Sequence, residues 1–303
     1  MIGIDQFIAD LGNPALAFLP KALLISVLSA AVCGVVGTYV VLRGMAFIGD
    51  AVAHAVFPGL AIAFALNASI LLGGAVAGIS VAVLIALFSQ RQRIREDSVI
   101  GIFFAASFAL GLVIIAKVDG YTGSLTSFLF GSITGVTNSD IISVAVVGTL
   151  VVAVILLLQP QLIAVSLDRE SARALNINVL LMDLVLYLAV TTAVVISVRT
   201  VGNILVLALL VTPAATARLL TDRLLVMMAT SAALGAVGSV LGVYFSWAVD
   251  LPAGATIVLV LTTFFFLAFL STLVRGRSAA GWRRRAREEQ RPATATTQKD
   301  IAS

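Results

Sequence analysis

Cysteine and histidine are almost missing from this chain: Cys33 and His54 are the single examples among 303 residues. No intrachain disulfide can form, and one copy cannot build a zinc centre from Cys and His side chains. Cys33 falls in the first apolar run and reads as a small buried hydrophobe. Charge is scarce too, at 11% of residues, against a hydrophobic share of 60% and a mean hydropathy of +1.12. That balance excludes a soluble globular domain and fits a polytopic membrane protein. The net charge of +4 resides largely in arginines at span edges and in the tail. It is therefore a topology signal, and nucleic acid is not an expected partner.

Catalytic motifs are missing as well. Gly44-Met45-Ala46-Phe47-Ile48-Gly49 has the glycine spacing of a phosphate loop, but Asp50 stands where the lysine belongs. An acidic side chain there repels phosphate, so ATP is not expected to bind this chain. Neither a His-Glu-x-x-His pair nor a nucleophile elbow is present. An intramembrane aspartyl enzyme needs two apposed carboxylates, and only Asp50 and Asp183 fall within apolar runs, at different depths. The expectation is a transport protein with no permanently bound cofactor.

What the chain has in abundance is long apolar runs. They fall at Lys21–Leu42, Ala46–Leu66, Ile70–Phe88, Val99–Ala116, Ile141–Leu158, Leu180–Val198, Ile204–Leu220, Leu224–Val249 and Ala255–Val274. At about 20 residues per span these predict an all-α membrane fold of roughly eight or nine helices. Residues 1–20 carry Asp5 and Asp10 without a basic stretch, which suits an extracytoplasmic or interfacial lead-in better than a signal peptide. The transmembrane domain is placed at 21–274. A basic tail, 275–303, is expected to be mostly disordered from Arg277 onward. Its arginines are suited to anionic lipid headgroups or to a plain stop-transfer role. The basic loops 91–95 and 218–223 and the tail put their ends in the cytoplasm, with the C-terminus inside. Gly120–Asp140 is ambiguous: Ser124–Ser132 is too short to span and fits a half-helix or re-entrant piece. Glycine pairs four apart (Gly74 and Gly78, Gly131 and Gly135, Gly238 and Gly242) suit close helix packing in lipid.

Two stretches carry functional chemistry. Asp50 and His54 lie one helical turn apart and so on one face. A carboxylate and an imidazole converging inside a membrane point to a cation pathway, and this donor pair suits Mn²⁺, Fe²⁺ and Zn²⁺. The plainer alternative pairs Asp50 with Arg43 and has His54 donating to a nearby carbonyl. Pro58-Gly59 is expected to break or kink the span next to the pair. One Asp and one His cannot fill a coordination sphere, whereas a two-fold dimer supplies two of each. The second stretch is Ser166–Asn178, the most charged between spans. Asp168 can cap a short helix through Leu175, with Glu170 in its first turn and Ala172 and Leu175 on one apolar face. Mixed charge and little apolar bulk favour docking on a protein partner over lying on lipid.

With those residues in view, the chain resembles the permease subunits of ABC-type importers for zinc, manganese and iron. The likeness runs from about Lys21 to Leu270. Its pieces are Val41–Asp50 continuing to His54 and Pro58-Gly59, Phe130-Gly131-Ser132, the Asp168–Leu175 loop, Val201–Val206 leading to Leu210–Leu220, and Asp250–Gly254. The resemblance implies a multi-pass protein of a prokaryotic plasma membrane. It also implies a second permease copy, cytoplasmic ATPase subunits that bind the ATP, and an extracytoplasmic metal-binding protein. Asp50 and His54 then become metal-pathway residues, and Asp168, Arg169, Glu170, Ala172 and Leu175 the ATPase-coupling helix. Asn176 stands where the family usually has glycine, and asparagine tolerates the left-handed cap. Two alternatives remain: a stand-alone ion-coupled secondary transporter, and a permease of the same architecture for a metal chelate. Asp50 and His54 argue against the chelate.

Overall fold

A computed structural model describes residues 3–66, 68–90, 94–117 and 135–289. Within them the chain folds into α1 (Ile4–Leu11), α2 (Phe18–Leu42), α3 (Ile48–Ala65), α4 (Ile70–Phe88), α5 (Glu96–Ile115) and α6 (Asn138–Leu157). Then follow α7 (Gln159–Leu167), α8 (Arg169–Ala174), α9 (Val179–Val201), α10 (Asn203–Leu220), α11 (Leu224–Val249) and α12 (Ala253–Glu289). Six of these helices are long and apolar enough to cross a membrane, and α3, α4 and α10 contain shorter apolar helices. Each expected apolar run thus corresponds to one helix. Ser124–Ser132 lies outside the described residues.

Polar side chains set several boundaries. Thr137 and Asp140 form a reciprocal capping box at the start of α6, and Asn178 accepts from Leu181 N–H at the start of α9. Between α9 and α10 the chain turns at Gly202, whose φ of 88° a side chain would strain. The helix over 253–274 continues without interruption to Glu289. The disorder expected from Arg277 is therefore not found as far as Glu289. Its Ala, Arg and Glu residues are strong helix formers that extend an existing nucleus at little cost. Residues 290–303 lie outside the described residues.

Helices α2 and α9 form the centre. The first packs on α6, α9, α10 and α11, while the second also touches α3 and α4. Helices α3, α4 and α5 form a second group, and α10, α11 and α12 a third. The outer helices α5, α6 and α12 turn most of their Leu, Val and Phe outward, as lipid-facing helices do. In lipid, close packing rather than water exclusion joins helices, so small residues mark the crossings. Gly238 and Gly242 meet Leu261 and Ile257 of α12 as their spacing suggests. The tighter crossings involve other glycines. A Cβ on Gly37 would strike the Leu210 carbonyl, and one on Gly59 would strike the Gly73 carbonyl.

Candidate functional site

Arg43 is the C-cap of α2, and Gly44 reverses the chain with φ 68°, so α3 starts beside the end of α2. Asp50 lies in the first turn of α3, where a carboxylate complements the helix N-terminus. His54 sits one turn on. Its Nδ1 is 3.0 Å from the Asp50 backbone carbonyl and 3.2 Å from Asp50 Oδ1. Two oxygens face that nitrogen, so in the neutral imidazole Nδ1 carries the proton and Nε2 the lone pair. Phe104 and Phe108 of α5 meet the imidazole edge-on, at centroid distances of 4.9 and 5.1 Å, and restrict its rotation.

The pair is not sealed inside the chain. The side chains of His54 and Asp50 remain 17% and 28% exposed. No third His, Cys, Asp or Glu joins them among the described residues. One carboxylate and one imidazole stand together, both partly exposed.

Pro58 lies inside α3, which continues to Ala65, so the segment does not break there. The proline still acts on the site, since it lacks the N–H that a regular helix would donate to the His54 carbonyl. One more oxygen beside the imidazole is thereby relieved of its helical partner. Gly59 serves packing, at the backbone crossing of α3 with α4.

Arg43 does not pair with Asp50. Its Nη1 donates to Asp183 Oδ1 at 2.6 Å, and its Nε donates to Ser166 at 3.0 Å. The other Asp183 oxygen accepts from Arg169 Nη2 and from Gln90 Nε2, both at 2.8 Å. Arg169 also binds Glu96 and donates to the Ser89 carbonyl. Asp183 is completely buried and Arg43 nearly so. A buried carboxylate is costly without such partners, and stripping one from a buried pair costs roughly 3–5 kcal/mol. Sequence reasoning missed this cluster. Its signal was Asp183 itself, an aspartate in a span that required a cationic partner.

The short helix is capped as expected. Asp168 accepts from the N–H groups of Glu170 and Ser171, and Asn176 takes the left-handed conformation at φ 58°. The Ser171 hydroxyl first, and then the Glu170 N–H, hold the Asp168 carboxyl below its usual range. The expected apolar face over Ala172 and Leu175 is not there. Ala172 is buried in the chain's own body, whereas Leu175 is 70% exposed and Leu167, at the near end, 83%. Arg169 also turns inward. The outward surface around α8 therefore takes in Leu167 at the end of α7 and, from α8 and its cap, Glu170, Ser171, Arg173, Ala174 and Leu175, not the set expected from spacing alone. Beside it lies a cleft of about 480 Å³, bounded by Arg43, Glu96, Ser166, Asp168, Arg169 and Glu170.

Comparison with known proteins agrees with this architecture. The chain is 40% identical to the manganese transport system membrane protein MntC of Halalkalibacterium halodurans, over 90% of this chain and 94% of that one. It is 32% identical to the chelated iron transport system membrane protein YfeC of Yersinia pestis, over 91% and 93% respectively. Among solved structures, PsaBC from Streptococcus pneumoniae in complex with Fab superposes with a TM-score of 0.77 at 34% identity. That match covers 88% of this chain and 95% of the other. The family model described as ABC 3 transport family matches residues 15–272, which takes in every apolar span, the Asp50–His54 pair and the capped loop. This multi-pass membrane protein belongs to the ABC 3 transport family.

Proposed function

We propose that the chain is the membrane permease of an ATP-driven importer that carries a divalent metal cation into the cytoplasm. The observation that carries this is the Asp50–His54 pair, with an imidazole nitrogen left open for a cation beside a carboxylate. Two copies related by a two-fold axis would bring two such pairs together, and the partial exposure of both side chains leaves room for that pairing. Incomplete coordination suits passage, because a closed four-ligand shell would hold the ion. Mn²⁺ is the first substrate to test, since MntC is a manganese-system protein and more similar than the iron-system YfeC. Fe²⁺ and Zn²⁺ accept the same donors.

ATP is hydrolysed on separate cytoplasmic subunits that dock on α8, and an extracytoplasmic protein delivers the metal. Residues 1–20 form the outer lead-in, 21–274 the transmembrane domain, and 275–303 a basic cytoplasmic tail. Asp168 sets the start of the docking helix, Glu170 and Leu175 face the ATPase, and Arg169 and Ala172 seat the helix on the permease.

The test is uptake of radiolabelled Mn²⁺, Fe²⁺ and Zn²⁺ in a deletion strain carrying wild type, Asp50→Ala or His54→Ala. Each variant should abolish uptake at wild-type membrane abundance. Near-normal uptake by either one would return the pair to a structural role.

A further inference from the structure

We propose that the Arg43–Asp183–Arg169 cluster is a mechanical link that carries movement of α8 to α3, which holds Asp50 and His54, and to α5, whose rings flank His54. It rests on the assignment of α8 as the ATPase-docking helix. Arg169 leaves α8 inward and binds one oxygen of Asp183, while Arg43, at the end of α2, binds the other. One carboxylate therefore joins the docking helix to the chain just ahead of α3.

Little slack remains beyond Arg43. Met45 is fully buried, its N–H donates to the Val40 carbonyl at 3.0 Å, and its own carbonyl accepts from Ile48 N–H at 3.1 Å. The turn from α2 into α3 is thus pinned at both ends, and Asp50 follows in the first turn of α3. The same Arg169 Nη2 also reaches Glu96, the first residue of α5. That helix carries Phe104 and Phe108, the rings against His54. Movement of α8 is passed to α3 through Asp183 and Arg43, and to α5 through Glu96. The imidazole sits between those two helices.

Charge suits this task better than it suits simple stability. A buried ion cluster is often no more stabilising than well-packed apolar residues of the same volume. What it adds is short, directional, charge-assisted bonds that are costly to separate in a poorly polarisable surrounding. Elements joined in this way move as one body.

The experiment uses the full complex of permease and ATP-binding subunits in lipid nanodiscs. ATP hydrolysis is measured with and without the Mn²⁺-loaded binding protein, for wild type, Asp183→Asn, and Asp183→Asn with Arg43→Gln. The double variant removes one charge of each sign, so no buried ion is left unpaired. Both variants should retain the ATP-binding subunit and basal hydrolysis, while stimulation by the metal-loaded protein falls about tenfold. Wild-type stimulation in the double variant would overturn the link, and so would failure of both variants to assemble, because the cluster would then serve only the fold. If a permease with Leu167 and Leu175 both changed to Asp holds its ATP-binding subunit as well as wild type does, the docking assignment falls and the link falls with it.

Discussion

Truncating Leu167 and Leu175 to alanine should weaken binding of the ATP-binding subunit while leaving the permease folded. Both side chains stand in the open, at 83% and 70% exposure, so neither contributes much to the chain's own packing. Fully burying a leucine side chain is worth about 1.5–3 kcal/mol. Docking that covers most of the free surface of each, with alanine keeping part of the contact, gives about 1 kcal/mol lost per truncation. The pair together should lose about 2 kcal/mol, or about thirtyfold in Kd. The assay is titration of detergent-purified permease with the labelled ATP-binding subunit, alongside the melting temperature of the permease alone. Affinity should fall with melting unchanged. Equal affinity for wild type and the double variant would place the docking site elsewhere, and a lowered melting temperature would show that these leucines pack within the permease.

The buried neighbour on the same helix should behave in the opposite way. Ala172→Trp puts a large side chain where the chain's own body leaves no room, and overpacking costs roughly 1–3 kcal/mol or more. The permease by itself should melt at lower temperature, and an unchanged melting temperature would contradict the packing. Pro58→Ala restores an N–H toward the His54 carbonyl, so α3 should become more regular while metal uptake declines; equal uptake would mean that this carbonyl takes no part in the pathway.

The membrane spans could be read from the chain because lipid leaves few choices. A long apolar run must satisfy its own backbone, and helix is the solution available to a single run. Hydropathy therefore located eight of the nine apolar helices among the described residues within a few residues, and of α12 it located the start. Crossings were harder. Gly37 and Gly59 make closer approaches than the glycines spaced four apart, because contact depends on which faces of two helices meet. The short helix shows the same division. Its cap at Asp168 and its left-handed end at Asn176 are local chemistry and were legible. The inward turn of Ala172 depends on the body beneath it, and spacing within six residues carries no information about that.

The choice of partner for Arg43 shows why nearness along the chain misleads in this site, and why the outcome favours transport. Asp50 follows Arg43 by seven residues, whereas Asp183 lies 140 residues away. Burial reverses that order of preference. Asp183 is completely enclosed and gains most from a cation, whereas Asp50 keeps 28% of its side chain open and can draw on solvent or a passing ion. The deeper carboxylate takes the arginine. Asp50 is left with the His54 imidazole as its partner among the described residues. Had Arg43 closed on Asp50, the permanent positive charge would neutralise the carboxylate and repel any metal approaching His54. By drawing Arg43 away, Asp183 leaves the Asp50 carboxylate to the imidazole, so the cluster under α8 and the Asp50–His54 pair on α3 depend on a single arginine. An Asp183→Asn change should therefore have a second consequence beyond uncoupling: it frees Arg43 to turn toward Asp50, and Mn²⁺ uptake should then need a higher external concentration for half-maximal rate. Measuring that concentration in Asp183→Asn and in the double variant with Arg43→Gln separates the effects. The shift should disappear when the arginine is gone, and a shift of equal size in both would show that Arg43 has no hold on the cation site.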